Sequence, residues 1–421
     1  MRIYLDFASV TPIDPGVRRL MNSVMKKYPA NPSSLYQEGV LAKKVLEKAR
    51  LSVATSLEAH ADEIIFTSGG TEANNIAIVG VVQSAVREFS NVTGDLNKTR
   101  PHVISLSIEH PSVREVFRSL EHICDVTYVE VDNSGIVDPK HIREALRKET
   151  VLVSVMYANN EIGTIQPISE IAKTIRHFKK EEGRTAGDYP FFHTDASQAA
   201  SYCSLRTPAL NVDLLTLDGG KIYGPRGVGV LYARRHTLAR LTPIYRGGGQ
   251  EQSLRPGTEN LPAIAGLALA LEKTEQEKKK MKEIERVSVL RERLLIGIKE
   301  ILPHASLNGS ADWSRRLPNN VNICIPNIDA ELLVLRLDAK GICVSSVTSC
   351  RASAEDSSSY VIESLGKSPQ DAVQDAKDEE KAKNCSKSSL RITLGRTTTK
   401  GHIDYFLKTL KSLTAMLPQG H

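Results

Sequence analysis

No apolar run in the 421 residues approaches the ~18 that a membrane-spanning helix needs. The opening MRIYLDF has neither the apolar core of a signal peptide nor the arginine- and serine-rich character of a transit peptide, so a cytoplasmic location is expected. Cysteine is scarce: six, at 124, 203, 324, 343, 350 and 385, with no CxxC pair. That is too sparse for a disulfide framework and wrongly spaced for a structural zinc site, and no metal is expected. Cys124, Cys203, Cys324 and Cys343 sit in apolar or strand-like contexts that favour ordinary packing. There is no dense basic block with interleaved aromatics, and 55 basic residues nearly balance 49 acidic ones, so nucleic-acid binding is not expected.

A nucleotide-phosphate loop is missing too. In TLDGGKIYGPRGVGV the P-loop pattern would require glycine at 215 and Ser or Thr at 222, where the chain has Leu215 and Ile222. Lys221 is then either an amine that carries chemistry or a surface charge beside a turn.

What is present reads as a large α/β protein. VLAKKVLEKARLSVATSLEA has helical spacing, EIIFTS reads as a strand, GGTEAN interrupts, and NIAIVGVVQSAVREF is helical again. This strand, glycine turn and helix aims the amides of Gly70 and Thr71 at an anion above the sheet edge. Further apolar runs, HVISLS, TYVEV, VLVSVMY, FFHTD, DLLTLD and VGVLYA, are continuous enough to predict a mainly parallel sheet covered on both faces. The reading places a large domain at 16–260, a long connecting helix at 261–300 and a small C-terminal domain at 301–421. A polar insertion runs over 366–389, and residues 1–15 are expected to pack with the small domain.

Ligands of such sheets bind beyond the carboxyl ends of the strands. His110, Asn159 and Asn160, Asp195 with Gln198, and Lys221 each follow a predicted strand. Singly they admit plain readings: a structural histidine, a turn, a helix cap. As a set they supply what pyridoxal phosphate needs, namely an amine for a Schiff base, an acid opposite the ring nitrogen and phosphate donors.

The motifs YLDFASVTPIDPGV, NPSSLYQEG, EIIFTSGGTEANN, IEHPSV, ANNEIGTIQPI, FHTDASQAA, DGGKIYGPRGVG, GGGQEQSLRPGTEN, VSSVTSCRAS and LRITLGRTT run in order from residue 4 to about 410. With them the chain resembles the NifS/IscS-type cysteine desulfurases, fold-type I pyridoxal-phosphate enzymes of the class V aminotransferase group. The resemblance implies that Lys221 binds the cofactor covalently, Asp195 keeps its ring nitrogen protonated, His110 stacks on the ring and Gln198 donates to its phenolic oxygen. Gly70, Thr71 and Gly220 would contact the phosphate, as would Thr258 from a neighbouring subunit, making a homodimer with a shared site. Asn160 and Arg391 would hold the substrate, and Cys350, on a loop at about 345–360, would take the sulfur as a persulfide.

The implied activity is conversion of L-cysteine to L-alanine, with sulfur passed to an iron–sulfur scaffold or a tRNA-thiolation protein. The alternatives are a selenocysteine lyase or another small amino-acid enzyme with this cofactor, and a catalytically weak scaffold. The chain departs from the family pattern before the lysine, where DGGK replaces SGHK. Asp218 is then expected to point away from the phosphate or to pair with a cation such as Arg255.

Overall fold

The computed structural model describes residues 2–93, 100–346, 358–366 and 384–415. A short strand, β1 (Ile3–Tyr4), leads into a large body built on β2 (Ile64–Thr67), β3 (His102–Leu106), β4 (Asp125–Val129), β5 (Thr150–Ser154), β6 (Phe191–Asp195), β7 (Leu214–Asp218) and β8 (Gly229–Ala233). These form one sheet in the order β2-β8-β7-β6-β5-β3-β4. All neighbours are parallel except the two pairs made by β8. Two antiparallel steps cancel, so β2 runs with the rest. The carboxyl ends of β2, β3, β5, β6 and β7 therefore share one edge.

The continuous apolar runs follow from two buried faces. Side chains alternate across a strand, and in β2 Ile64 and Phe66 enter one core while Ile65 enters the other. Ile104 and Val103 of β3 divide the same way. Helices Gln37–Leu57, Ile168–Glu181 and Leu261–Lys280 cover the first face. Helices Gly70–Thr93 and Pro111–Leu120 cover the second.

The second body holds an antiparallel sheet of β9 (Ser306–Leu307), β10 (Asn320–Cys324), β12 (Ser345–Ser346) and β13 (Ser389–Thr393), in the order β12-β13-β10-β9. Beside it, β11 (Ile342–Cys343) pairs in parallel with β1. Ile3 and Leu5 share a core with Val321, Ile392 and Phe406. LLVLRL lies in the helix Ala330–Ala339.

Two sequence expectations need correction. The stretch 261–300 is two helices, Leu261–Lys280 and Lys282–Ile301, separated by Met281 at φ +60°. The first packs on the helices of the large body and the second on the C-terminal helix Lys400–Thr414, so the chain must turn between them. Cys324 is not a free packing cysteine but is disulfide-bonded to Cys385, with Cα atoms 5.1 Å apart. The antiparallel register sets Cys324 opposite Ser389, whose hydroxyl donates to the carbonyl of Cys385 at 2.6 Å, and this local turn closes the gap. Among the described residues no helix is long and apolar enough to cross a membrane.

Candidate active site

The shared carboxyl edge converges on a cavity of about 250 Å³. Gly70 and Thr71 reach it from the start of the helix after β2, His110 from the turn after β3, Asn160 from the loop after β5, and Asp195 with Gln198 from the end of β6. Asp218, the last residue of β7, and Lys221, closing the short turn Gly219–Lys221, complete that wall. Arg391 enters from β13 of the small body, and Ala8 and Ser9 from the N-terminal segment. Of the residues singled out in the sequence, Gly220 lies behind the wall, its carbonyl accepting the amide and hydroxyl of Thr11. Thr258 is exposed and outside this cavity. Cys350 falls outside the described residues.

A hydrogen-bonded chain joins the carboxylate to the imidazole. Asn74, fully buried on the helix Gly70–Thr93, donates from Nδ2 to Asp195 Oδ2 at 2.8 Å and to Ser112 Oγ at 2.9 Å. The other Asp195 oxygen accepts the Ser197 amide at 2.9 Å. Ser112 Oγ lies 2.8 Å from His110 Nδ1, and the Ser112 backbone amide donates to the same nitrogen at 3.1 Å. A backbone N–H can only donate, so Nδ1 is the acceptor and the proton of neutral His110 sits on Nε2. His110 is the N-cap of the helix Pro111–Leu120, with Pro111 at its first position, which fixes the ring. Burial pushes the imidazole below its ordinary range, opposed by the charge of Asp195, so it is held neutral. The preceding Glu109 is wholly buried, accepts the Met156 amide at 2.6 Å, and is pushed well above the usual carboxyl range by that burial.

Towards the N-terminal segment Lys221 Nζ donates to the carbonyls of Ala8 at 2.9 Å and Ser9 at 2.6 Å. Gln198 Nε2 also donates to Ala8 at 2.9 Å. Arg391 donates to Asp6 Oδ1 at 3.0 Å, to Ser9 Oγ at 2.8 Å and to the Asn160 carbonyl at 3.1 Å, while its Nε is buried with no partner. The N-terminal segment thus sets the position of both cations.

Asp218 departs from expectation. It neither turns away nor meets Arg255, which pairs with Glu72 at 3.3 Å. Its Oδ2 accepts the Gly70 amide at 3.0 Å and its Oδ1 the Gly220 amide at 2.8 Å. The amide of Gly70 does face an anion, as its place at a helix start predicts, but the chain itself supplies that anion. Close packing enforces the geometry: a Cβ on Gly229 would lie 2.7 Å from Gly69 Cα.

Sequence reading missed Asn74, Ser112, Ser197 and Asp6. Asn74 carried one signal, standing three residues after Thr71 and hence one turn deeper along the same helix face. The two serines had none beyond a generic turn or cap.

The class-V aminotransferase family model matches residues 3–406. The cysteine desulfurase IscS of Dictyoglomus turgidum is 36% identical over 416 residues, covering 99% of this chain and 95% of that protein. A solved NifS-like protein superposes with a TM-score of 0.83 at 29% identity, covering 99% of this chain and all of the other. SspA, solved in complex with cysteine, gives a TM-score of 0.71 at 29% identity over 94% of this chain and 99% of its own. With the family model, the relative and the solved structure each matching along nearly the whole chain, it belongs to the class-V aminotransferase family of fold-type I pyridoxal-phosphate enzymes, among the NifS/IscS cysteine desulfurases.

Proposed function

We propose that this chain is a cysteine desulfurase that releases L-alanine and leaves the sulfur as a persulfide on Cys350. The observation that carries this reading is the convergence of Lys221, Asp195, His110, Gln198 and Arg391 on one cavity. The donor set fits the pyridoxal ring of pyridoxal phosphate: an amine, a carboxylate held by two donors, a neutral imidazole and a side-chain amide surround the space. The buried Ser197 hydroxyl and Arg391 Nε, both without partners, are donors left for a ligand to accept.

Bound there, pyridoxal phosphate would supply an electron sink that acidifies the Cα–H of an attached amino acid. The rest falls to the chain. Lys221 holds the cofactor and, once displaced by substrate, its free amine moves the Cα proton. Asn74 and the Ser197 amide both donate to Asp195 and fix its two oxygens in place. Arg391 and Asn160 orient the substrate carboxylate, the arginine through charge-assisted hydrogen bonds. The Cys350 thiolate attacks the substrate sulfur, the C–S bond breaks with its electron pair going to the substrate carbon, and a proton completes alanine. No external oxidant or reductant is needed.

The reading extends to a homodimer in which the exposed Thr258 reaches the neighbouring site, to a sulfur-acceptor protein, and to the cytoplasm. The test supplies L-cysteine to the cofactor-loaded protein and measures alanine. Wild type should turn over, Lys221→Ala should lose both turnover and the visible absorption band, and Cys350→Ser should lose persulfide and turnover. Unchanged turnover in Cys350→Ser would remove Cys350 from the mechanism.

A further inference from the structure

The anion-binding corner of the cavity is already filled by the protein. Gly70 lines it at the first turn of its helix and Gly220 stands just behind it, ahead of Lys221, and the amides of both are held by Asp218. Ser197 Oγ, buried and without a partner, faces the same side of Gly70 as Asp218: a Cβ built on Gly70 would meet it at 3.1 Å and Asp218 Oδ2 at 3.6 Å. A phosphate entering this corner would compete with a carboxylate for the same two N–H groups, and like charges brought together disfavour one another's ionised forms. Among the described residues no arginine pairs with Asp218 to offset this, since Arg255 is engaged by Glu72.

We propose that Asp218 sets the tail preference of the cofactor pocket: by occupying the amides of Gly70 and Gly220 it cancels most of the affinity a phosphate would add. The chain then holds pyridoxal phosphate little better than the unphosphorylated aldehyde pyridoxal. This rests on the reading that Lys221 carries the cofactor. The Ser197 hydroxyl and the groups of Thr71, which also lines the cavity, are the donors left for a phosphate, fewer than the corner would offer with the two amides free.

The test titrates the full-length protein, stripped of cofactor, with pyridoxal phosphate and with pyridoxal. Binding is read by absorbance, and attachment at Lys221 is located by borohydride reduction and peptide mass. The expected wild-type preference for the phosphorylated aldehyde is below about a hundredfold, and Asp218→Ser should raise it by about tenfold or more with pyridoxal affinity unchanged. Asp218→Asn keeps one acceptor oxygen, removes the charge and releases one of the two amides, so it too should show the rise. A wild-type preference above a hundredfold, or a rise below tenfold in both variants, overturns the proposal and leaves the desulfurase reading intact. If neither aldehyde attaches to Lys221, the cofactor reading falls and this proposal with it.

Discussion

Asn74 takes no part in the proposed bond-making steps, yet its single amide spans Asp195 and Ser112 and so connects the carboxylate to the imidazole. Fully buried, it has no water to replace it as donor. Asn74→Ala leaves Asp195 with the Ser197 amide alone, and loss of a hydrogen bond to a buried charge costs about 1.5–3 kcal/mol. The expected result is a cofactor affinity lower by about tenfold or more, with a displaced absorption maximum as the ring nitrogen loses its fixed counter-charge. A purely structural role would lower the melting temperature without moving the absorption maximum. The residues legible in the sequence, Lys221, Asp195 and His110, share one property: each interrupts an apolar run at a strand end. Asn74 lies inside an amphipathic helix and Ser112 after a helix cap, where polar residues are ordinary, so their partners emerge only when β3 and β6 are placed side by side with that helix.

At the scale of elements, the strands were readable because both faces of the sheet are buried, and the breaks were readable where glycine or a charge ended the run. The two buried histidines within strands were not. His102 in β3 sits between Thr150 Oγ1 and Thr127 Oγ1 on the flanking strands, 2.8 Å from each, and burial pushes its imidazole down to about 4. His193 in β6 lies 2.8 Å from Ser154 Oγ and 3.1 Å from Thr216 Oγ1, and burial lowers it as well. A histidine with a depressed folded value binds its proton first in the unfolded chain. Stability is thus full above the unfolded value near 6.5 and falls as pH drops from there toward 4, by about 3 kcal/mol for His102. Melting temperatures measured between pH 7 and 4.5 should fall steeply, and the fall should be shallower in His102→Gln. Equal slopes would mean that carboxylates, not this histidine, set the acid limit.

At the scale of the molecule, the site depends on two bodies keeping their places. The N-terminal segment ties them: Leu5 hydrogen-bonds to Cys343 and Thr393 of the small body, Thr11 and Asp14 to Gly220 and Tyr223 of the large one. Between these anchors lie the Ala8 and Ser9 carbonyls that hold Lys221, and Asp6 and Ser9, which hold Arg391. Within the small body a further tie is the Cys324–Cys385 bond, unreadable in the sequence because 61 residues separate the partners and only the pairing of β10 with β13 unites them. That bond closes the segment carrying Cys350 and fastens the chain six residues before Arg391. A loop of this length implies about 2–4 kcal/mol of stabilisation, mainly by restricting the unfolded chain. The double variant Cys324→Ala, Cys385→Ala should therefore melt lower than wild type and show a raised KM for cysteine, as β13 and its arginine lose their anchor. Reductant should bring wild type down to the melting temperature of the variant and leave the variant unmoved, while alkylation without reductant should spare two of the six cysteines in denatured wild type. Full alkylation in the absence of reductant would show that the two thiols stay free, and the stability attributed to the bond would then have to come from the packing of β10 against β13 alone.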